Sequence, residues 1–364
     1  MYMAKHGDLI TDGGVVWRVV DKRINGKIAD TPNYYWRSEL FSGDGSILTT
    51  PSKLAVNING IGYIGGSVTI NLNTAASYDA SSQAMSMMAE RAGQDLYIFV
   101  VETTDGSLKF LISSNSTVPY GYNAENSRKI GGFHCLCAST GTISGHALDG
   151  KYAGEILPNS IWDLLHRPVA GSEGMAYVEG IGLWVDIYLN SWNGLQLVSK
   201  VNQATADGTS TKKFHGELFV EELGKIGKRL PRRDEFIVFA KGSNEKTAIN
   251  GATDPGITGA HIDSNSRRMV SNYGLEDCCG FLDQWTSDVD AYDGFSWSTS
   301  SVYASAVDSQ EYGSAYVNLR RAYVGYNWGT SSHCGSRFVG FSDFSSLVNA
   351  GCGARGVSKP RVIE

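Results

Sequence analysis

The sequence predicts a multidomain protein, with a mainly β N-terminal part followed by an α+β domain. Three observations carry that reading. The chain has 364 residues, more than one ordinary hydrophobic core organises. Glycine is abundant (43 residues), proline scarce (8) and charged residues only 19%, a balance of strands and turns more than of helical bundles. After Pro158 the pattern changes, and helical stripes appear for the first time.

Residues 1–40 read as short strands. In "DLITDGGVVWRVVDKRINGKI" the apolar pieces Val15-Val16-Trp17 and Val19-Val20 lie between the turn pairs Asp12-Gly13 and Asn25-Gly26, which are hairpin signals. So short a segment buries little core alone, so it is expected to attach to a neighbour or a partner chain. Residues 41–157 continue the β reading as an intermediate β-sandwich. "LYIFVVETTDGSLKFLIS" sets two β-rich runs around Asp105-Gly106, "KLAVNINGIGYIGGSVTINL" adds strands around Asn59-Gly60, and Ser81 to Arg91 suits a short helix.

The third domain is expected over 158–364. "NSIWDLLHRP" reads as a short helix capped by Ser160 and stopped by Pro168. "MAYVEGIGLWVDIYLNSW" reads as a strand pair. "FHGELFVEELGKIGKRLP" places Leu218, Phe219, Glu222, Leu223 and Ile226 on one helical stripe ended by Gly227 and Pro231. "RRDEFIVFAKG" makes a second helix with Phe236, Phe239 and Ala240 inward and Gly242 as its stop. From Gly251 to Ser314 the sequence is loop-rich. The end is unusual: Gly325 to Val357 contains no Lys, Glu, Gln or Met, yet Trp328, Phe338, Phe341, Phe344 and Val348 look like core.

Charge and cysteine usage exclude several function classes. A formal net charge of −6 argues against nucleic acid, which calls for a basic stripe. The basic run Lys225, Lys228, Arg229, Arg232 and Arg233 reads as a solvated helix face. No apolar run is long enough to insert in a membrane, and Met1 to Ile10 lacks a signal-peptide core. Cys135, Cys137, Cys278, Cys279, Cys334 and Cys352 have neither a disulfide framework nor CxxC spacing, and the histidines form no HExxH pattern. No metal and no cofactor are expected, although oxygen-ligated calcium has no sequence spacing by which to judge it. No Ser-His-Asp order or paired-acid motif points to an enzyme.

Several stretches resemble one family together. "GKRLPRRDEF" (Gly227 to Phe236) resembles the Arg-Leu-Pro helix start of the C-type-lectin-like fold shared with formylglycine-generating enzymes. "GYNWG" resembles its Gly-x-x-Trp strand, and "GSR" and "GARGV" (Gly335 to Arg337, Gly353 to Val357) its closing strands. More closely, "RKIGGFH" (Arg128 to His134), "SIWDLLHRP" and "LWVDIYL" (Leu183 to Leu189) resemble the phage major tropism determinant family, the variable proteins of diversity-generating retroelements. The resemblance runs from about Ile98 to Glu364.

That resemblance implies a C-type-lectin-like domain over 158–364 with a hypervariable region near 325–352. Template adenines are mutated in this family, so Asn codons become NNY codons. The implied variable, ligand-binding positions are Asn327, Gly329, Ser331, His333, Gly340, Ser342, Asp343, Leu347, Asn349, Gly351 and Cys352, all of types that NNY encodes. Positions 327, 329, 331 and 333 alternate, as do 347, 349 and 351, so in a strand each set would share one face. Trp328 would then point into the core, and Arg337 and Arg355 would pair with carboxylates or carbonyls as scaffold. Tyr326, Phe341 and Phe344 would flank the face. Formylglycine-generating enzymes use a closely spaced cysteine pair, and Cys334 and Cys352 do not match it. The implied partners are a bacterial surface receptor (protein or glycan), the chain itself as a homotrimer, and other tail-fibre components. The implied place is the tail-fibre tip of the virion, with display on a bacterial cell surface as the alternative.

Overall fold

The structure is a computed structural model. It describes residues 9–12, 15–18, 35–59, 61–104, 108–254, 256–291, 319–329 and 331–361. The turn expected at Asn25-Gly26, and Trp297, lie outside those residues. The chain divides into two compact units, one of residues 1–136, 153–167 and 362–364, the other of 137–152 and 168–361. The sequence suggested boundaries at 40–41 and 157–158; the chain passes between the two units at residues 136–137, 152–153, 167–168 and 361–362.

In the first unit, β1 (Leu9–Asp12) and β2 (Val15–Arg18) form the hairpin expected at Asp12-Gly13. Three small sheets follow. β3 (Tyr35–Arg37), β6 (Lys53–Ile58) and β7 (Ile61–Gly66) make one. β4 (Ser42–Asp44), β5 (Ile47–Thr49) and β8 (Thr69–Asn71) make the second. The third has β9 (Asp95–Glu102) at its centre, between β10 (Leu108–Ser113) and β11 (Ser127–His134), with β12 (Trp162–Asp163) outside β11. All three contribute to one core that includes Leu48, Leu54, Val56, Ile98, Val100, Ile130 and Ile161. Ser81 to Arg91 becomes a 3-10 turn (Gln83–Ser86) and one helical turn, α1 (Met88–Arg91). Arg91 is fully buried and donates to Gly154 O, Ser46 Oγ and Asn73 Oδ1, each at 2.7 Å, so it ties distant turns together.

The helix expected in "NSIWDLLHRP" does not form. Pro158–Ser160 is a 3-10 turn and Trp162–Asp163 pairs with Gly131 and Gly132 of β11. Asp163 Oδ1 accepts the N–H groups of Leu165 and His166, each at 2.8 Å, a local turn that competes with helix. The paired glycines of "RKIGGFH" now have a reason. A Cβ at Gly131 would lie 2.5 Å from Trp162 O, and one at Gly132 would lie 2.7 Å from Leu96 O.

In the second unit, β13 (Met175–Val178) and β14 (Leu183–Asp186) form the expected strand pair. β15 (Asn190–Trp192) and β16 (Leu197–Ser199) form a hairpin. α2 (Gly216–Lys225) buries Phe219, Glu222 and Leu223, and the Glu222 carboxylate is held by Lys212 at 2.6 Å and Lys225 at 2.9 Å. α3 (Arg233–Phe239) buries Phe236 and Phe239, and Glu235 accepts the Arg232 N–H at its start at 2.8 Å. The basic run is not uniformly solvated. Lys228 is buried against Asp186 at 2.6 Å, and Arg229 clamps Glu235 at 2.6 and 2.8 Å. The loop-rich stretch from Gly251 contains a long strand, β17 (Asp283–Ala291). β18 (Leu319–Gly325) lies between β17 and β19 (Gly335–Gly340), and β20 (Cys352–Gly353) pairs parallel to β17. β21 (Val357–Ser358) closes the unit on β14.

Candidate receptor-binding face

The β19-β18-β17-β20 sheet sets two loops, residues 326–334 and 341–351, at its margin. Their underside is firm. Trp285 and Tyr323 are buried with their rings 6.0 Å apart, and Phe338 packs on Tyr323 at 6.1 Å. Below the return to β21, Arg355 is fully buried and donates to Asp186 O and Ile187 O, each at 2.6 Å, and to Glu276 O.

The first loop is a turn, not the strand that alternation suggested. Gly325 and Tyr326 both take left-handed backbone, at φ 84° and 65°, and end β18. Asn327 bridges Phe281, and Ser331–His333 is a single 3-10 turn. Asn327 is half-buried, while Gly329 and His333 are exposed. The Tyr326 ring meets His333 edge-on at 5.5 Å and Phe338 at 4.5 Å. Trp328 is only half-buried, resting on Leu189, Ile249, Met269, Phe281 and Leu282, so it seals an edge and is not a core residue. Arg337, expected as scaffold, is exposed on β19.

The second loop displays Ser342, Phe344, Val348 and Asn349. Phe344 and Val348, which looked like core, are 50% and 46% exposed, because Leu347 turns inward in their place. The Arg320 guanidinium lies 4.5 Å over the Phe344 ring. Tyr323 Oη and Ser342 Oγ are 2.6 Å apart, and Phe341 and Asp343 are half-buried. The loop is held from outside by Gly208, whose N–H donates to Asn349 O at 3.1 Å. A Cβ at Gly208 would strike the Asn349 backbone.

Four of the positions named from the sequence, the inward Leu347 among them, are not displayed. A Cβ at Gly340 would run into the Tyr323 ring, Gly351 is buried, and Cys352 is 1% exposed in the core. Burial pushes the Cys352 thiol well above its ordinary range. All six cysteines are free. Among the described residues no group of three or more His, Cys, Asp or Glu side chains is placed to hold a metal, and no helix is long and apolar enough to cross a membrane.

One supporting residue carried no local signal in the sequence. Asp283, at the head of β17, is 5% exposed and its Oδ2 accepts from Asn327 Nδ2 at 2.7 Å. Burial pushes its carboxyl up to about 7, the Asn327 bond opposes that, and the Asp343 charge adds to it.

Comparison with known proteins identifies this architecture. The family model described as the Mtd second domain matches residues 47–163. The tail fiber receptor-binding protein of Bordetella phage BPP-1 is 31% identical over 300 residues, spanning 77% of this chain and 75% of that protein. The solved Major Tropism Determinant P3c variant is 26% identical with a TM-score of 0.71, covering 100% of this chain and 96% of that one. The M1 variant is 25% identical with a TM-score of 0.68, covering 100% and 97%. The chain is a member of the major tropism determinant family of phage tail-fibre receptor-binding proteins.

Proposed function

We propose that the chain binds a receptor on a bacterial surface, protein or glycan, through the 326–334 and 341–351 loops. The observation that carries this is the pairing of an exposed, chemically mixed face with a rigid underside. His333, Ser342, Phe344, Val348 and Asn349 face outward, and Tyr323, 2.6 Å from Ser342, is buried behind them against Trp285. Aromatic and polar side chains on a preorganised base are what receptor contacts use.

The finer reading follows the family. The second unit is a C-type-lectin-like domain, its outward positions vary by retroelement mutagenesis, and three chains assemble at the tail-fibre tip of the virion with residues 1–40 in attachment. The chain is a binding protein and not an enzyme, which is supported by relatives named for receptor binding. The test is a variant with His333, Ser342, Phe344, Val348 and Asn349 all replaced by Ala. It should melt as the parent does and fail to attach to bacterial cells that the parent binds. Unimpaired attachment would place the face elsewhere.

A further inference from the structure

The two loops of the face are distant in sequence order from β17, yet one buried residue on β17 touches both. Asp283 donates its backbone N–H to Gly351 O at 2.8 Å, and its Oδ2 accepts from Asn327 Nδ2 at 2.7 Å. Each partner sits in a closed turn. Asn327 Oδ1 accepts the Gly329 N–H at 2.9 Å, and Asn349 Oδ1 accepts the Gly351 N–H at 2.8 Å. Asp283 Oδ1, by contrast, is buried with no partner.

We propose that Asp283 is the positioning residue of the receptor face, latching the 326–334 turn to the 349–352 return through Asn327 on one side and Gly351 on the other. The proposal deepens the receptor-face reading and takes that reading as its premise. Its consequence is that position 327 is unlike the other outward positions. A residue there that offers no donor releases the turn and alters the shape of the whole face, where a change at Phe344 alters one contact.

Ionisation of the carboxyl bears on the latch. The groups around Asp283 are Asn327, Asp343, Cys334, Cys352 and Tyr323, with no cation among these partners. A proton on Oδ1 removes the buried charge, and the bare carboxylate takes the stronger, charge-assisted bond from Asn327. The latch therefore changes character around neutral pH.

The experiment is amide hydrogen exchange on the full chain without any receptor, expressed as protection factors so that the intrinsic pH dependence cancels. Its failure is thereby separate from a failure of receptor binding. Asn327→Ala should lower protection about tenfold in its own turn and in the 349–352 return together. Phe344→Ala, as control, should leave the 326–334 turn unchanged. Asp283→Asn keeps an acceptor for Asn327 and should retain protection in both loops, while abolishing any pH dependence that the parent shows there between about pH 5.5 and 8.5. Loss confined to the 326–334 turn in Asn327→Ala, or an undiminished pH dependence in Asp283→Asn, would overturn the proposal.

Discussion

Arg355 and Phe344 are close in sequence and obey opposite rules. Arg355 holds three backbone carbonyls from a fully buried position, so Arg355→Met takes a donor from each, although Ile187 O keeps the Glu276 N–H at 2.8 Å. The expected cost is about 3 kcal/mol, since several buried carbonyls lose a charge-assisted bond at once. Phe344→Ala removes a half-exposed ring and its contact with Arg320, worth at most about 1 kcal/mol. Urea titration of the two variants checks this, and an Arg355→Met protein as stable as the parent would show that the carbonyls need no donor. Asp283 gives a pH-dependent case. Its carboxyl, pushed up to about 7, sits above the ~4 of an unfolded aspartate. Between those values the folded chain keeps a proton that the unfolded chain has released. The stability this group contributes is thus full below about pH 4 and is lost as pH rises toward 7. The difference in stability between parent and Asp283→Asn should fall over that window, and a constant difference would contradict the assigned shift.

The elements show which parts of the fold local pattern can specify. α3 is built as its sequence reads, with Phe236 and Phe239 inward and Glu235 turned back on its own start. Glu235→Ala removes that bond and orphans the Arg229 clamp, at about 2 kcal/mol, visible as a lowered denaturation midpoint. Glu235→Gln should recover part of the loss. The hairpin β1–β2 and the stripe on α2 were likewise legible, because turn pairs and helical periods act over a few residues. "NSIWDLLHRP" was not, since its helical spacing lost to pairing with β11, a strand separated from it by many residues. The face was legible in composition and not in geometry. Its alternating positions suggested a strand, but left-handed backbone at Tyr326 turns the chain there, and inward packing of Leu347 sends Val348 out. Asp283 could not be found locally at all, because its partners Asn327 and Gly351 reach it only through the β17–β20 and β17–β18 pairings.

At the scale of the whole molecule, the net charge of −6 gives no strong field for steering, so attachment through the proposed face would rest on the contacts that face makes. That face is small, and most of its exposed members are short or polar, so one copy is expected to bind weakly. In the homotrimer proposed above, once one face is bound its neighbours would search at high local concentration, and avidity would rise by ~10²–10⁴ without any new contact. Light scattering should therefore return a mass three times the 39.3 kDa of the chain. The linked faces can then be tested by co-expressing parent chains with chains carrying the five alanine replacements. Trimers with one active face should leave bacterial cells ~10²-fold faster or more than trimers with three, while single-face affinity stays the same. A monomer mass at micromolar concentration removes the premise. Equal dissociation of one-face and three-face trimers would instead mean that each face binds independently, and that attachment strength is set by one site alone.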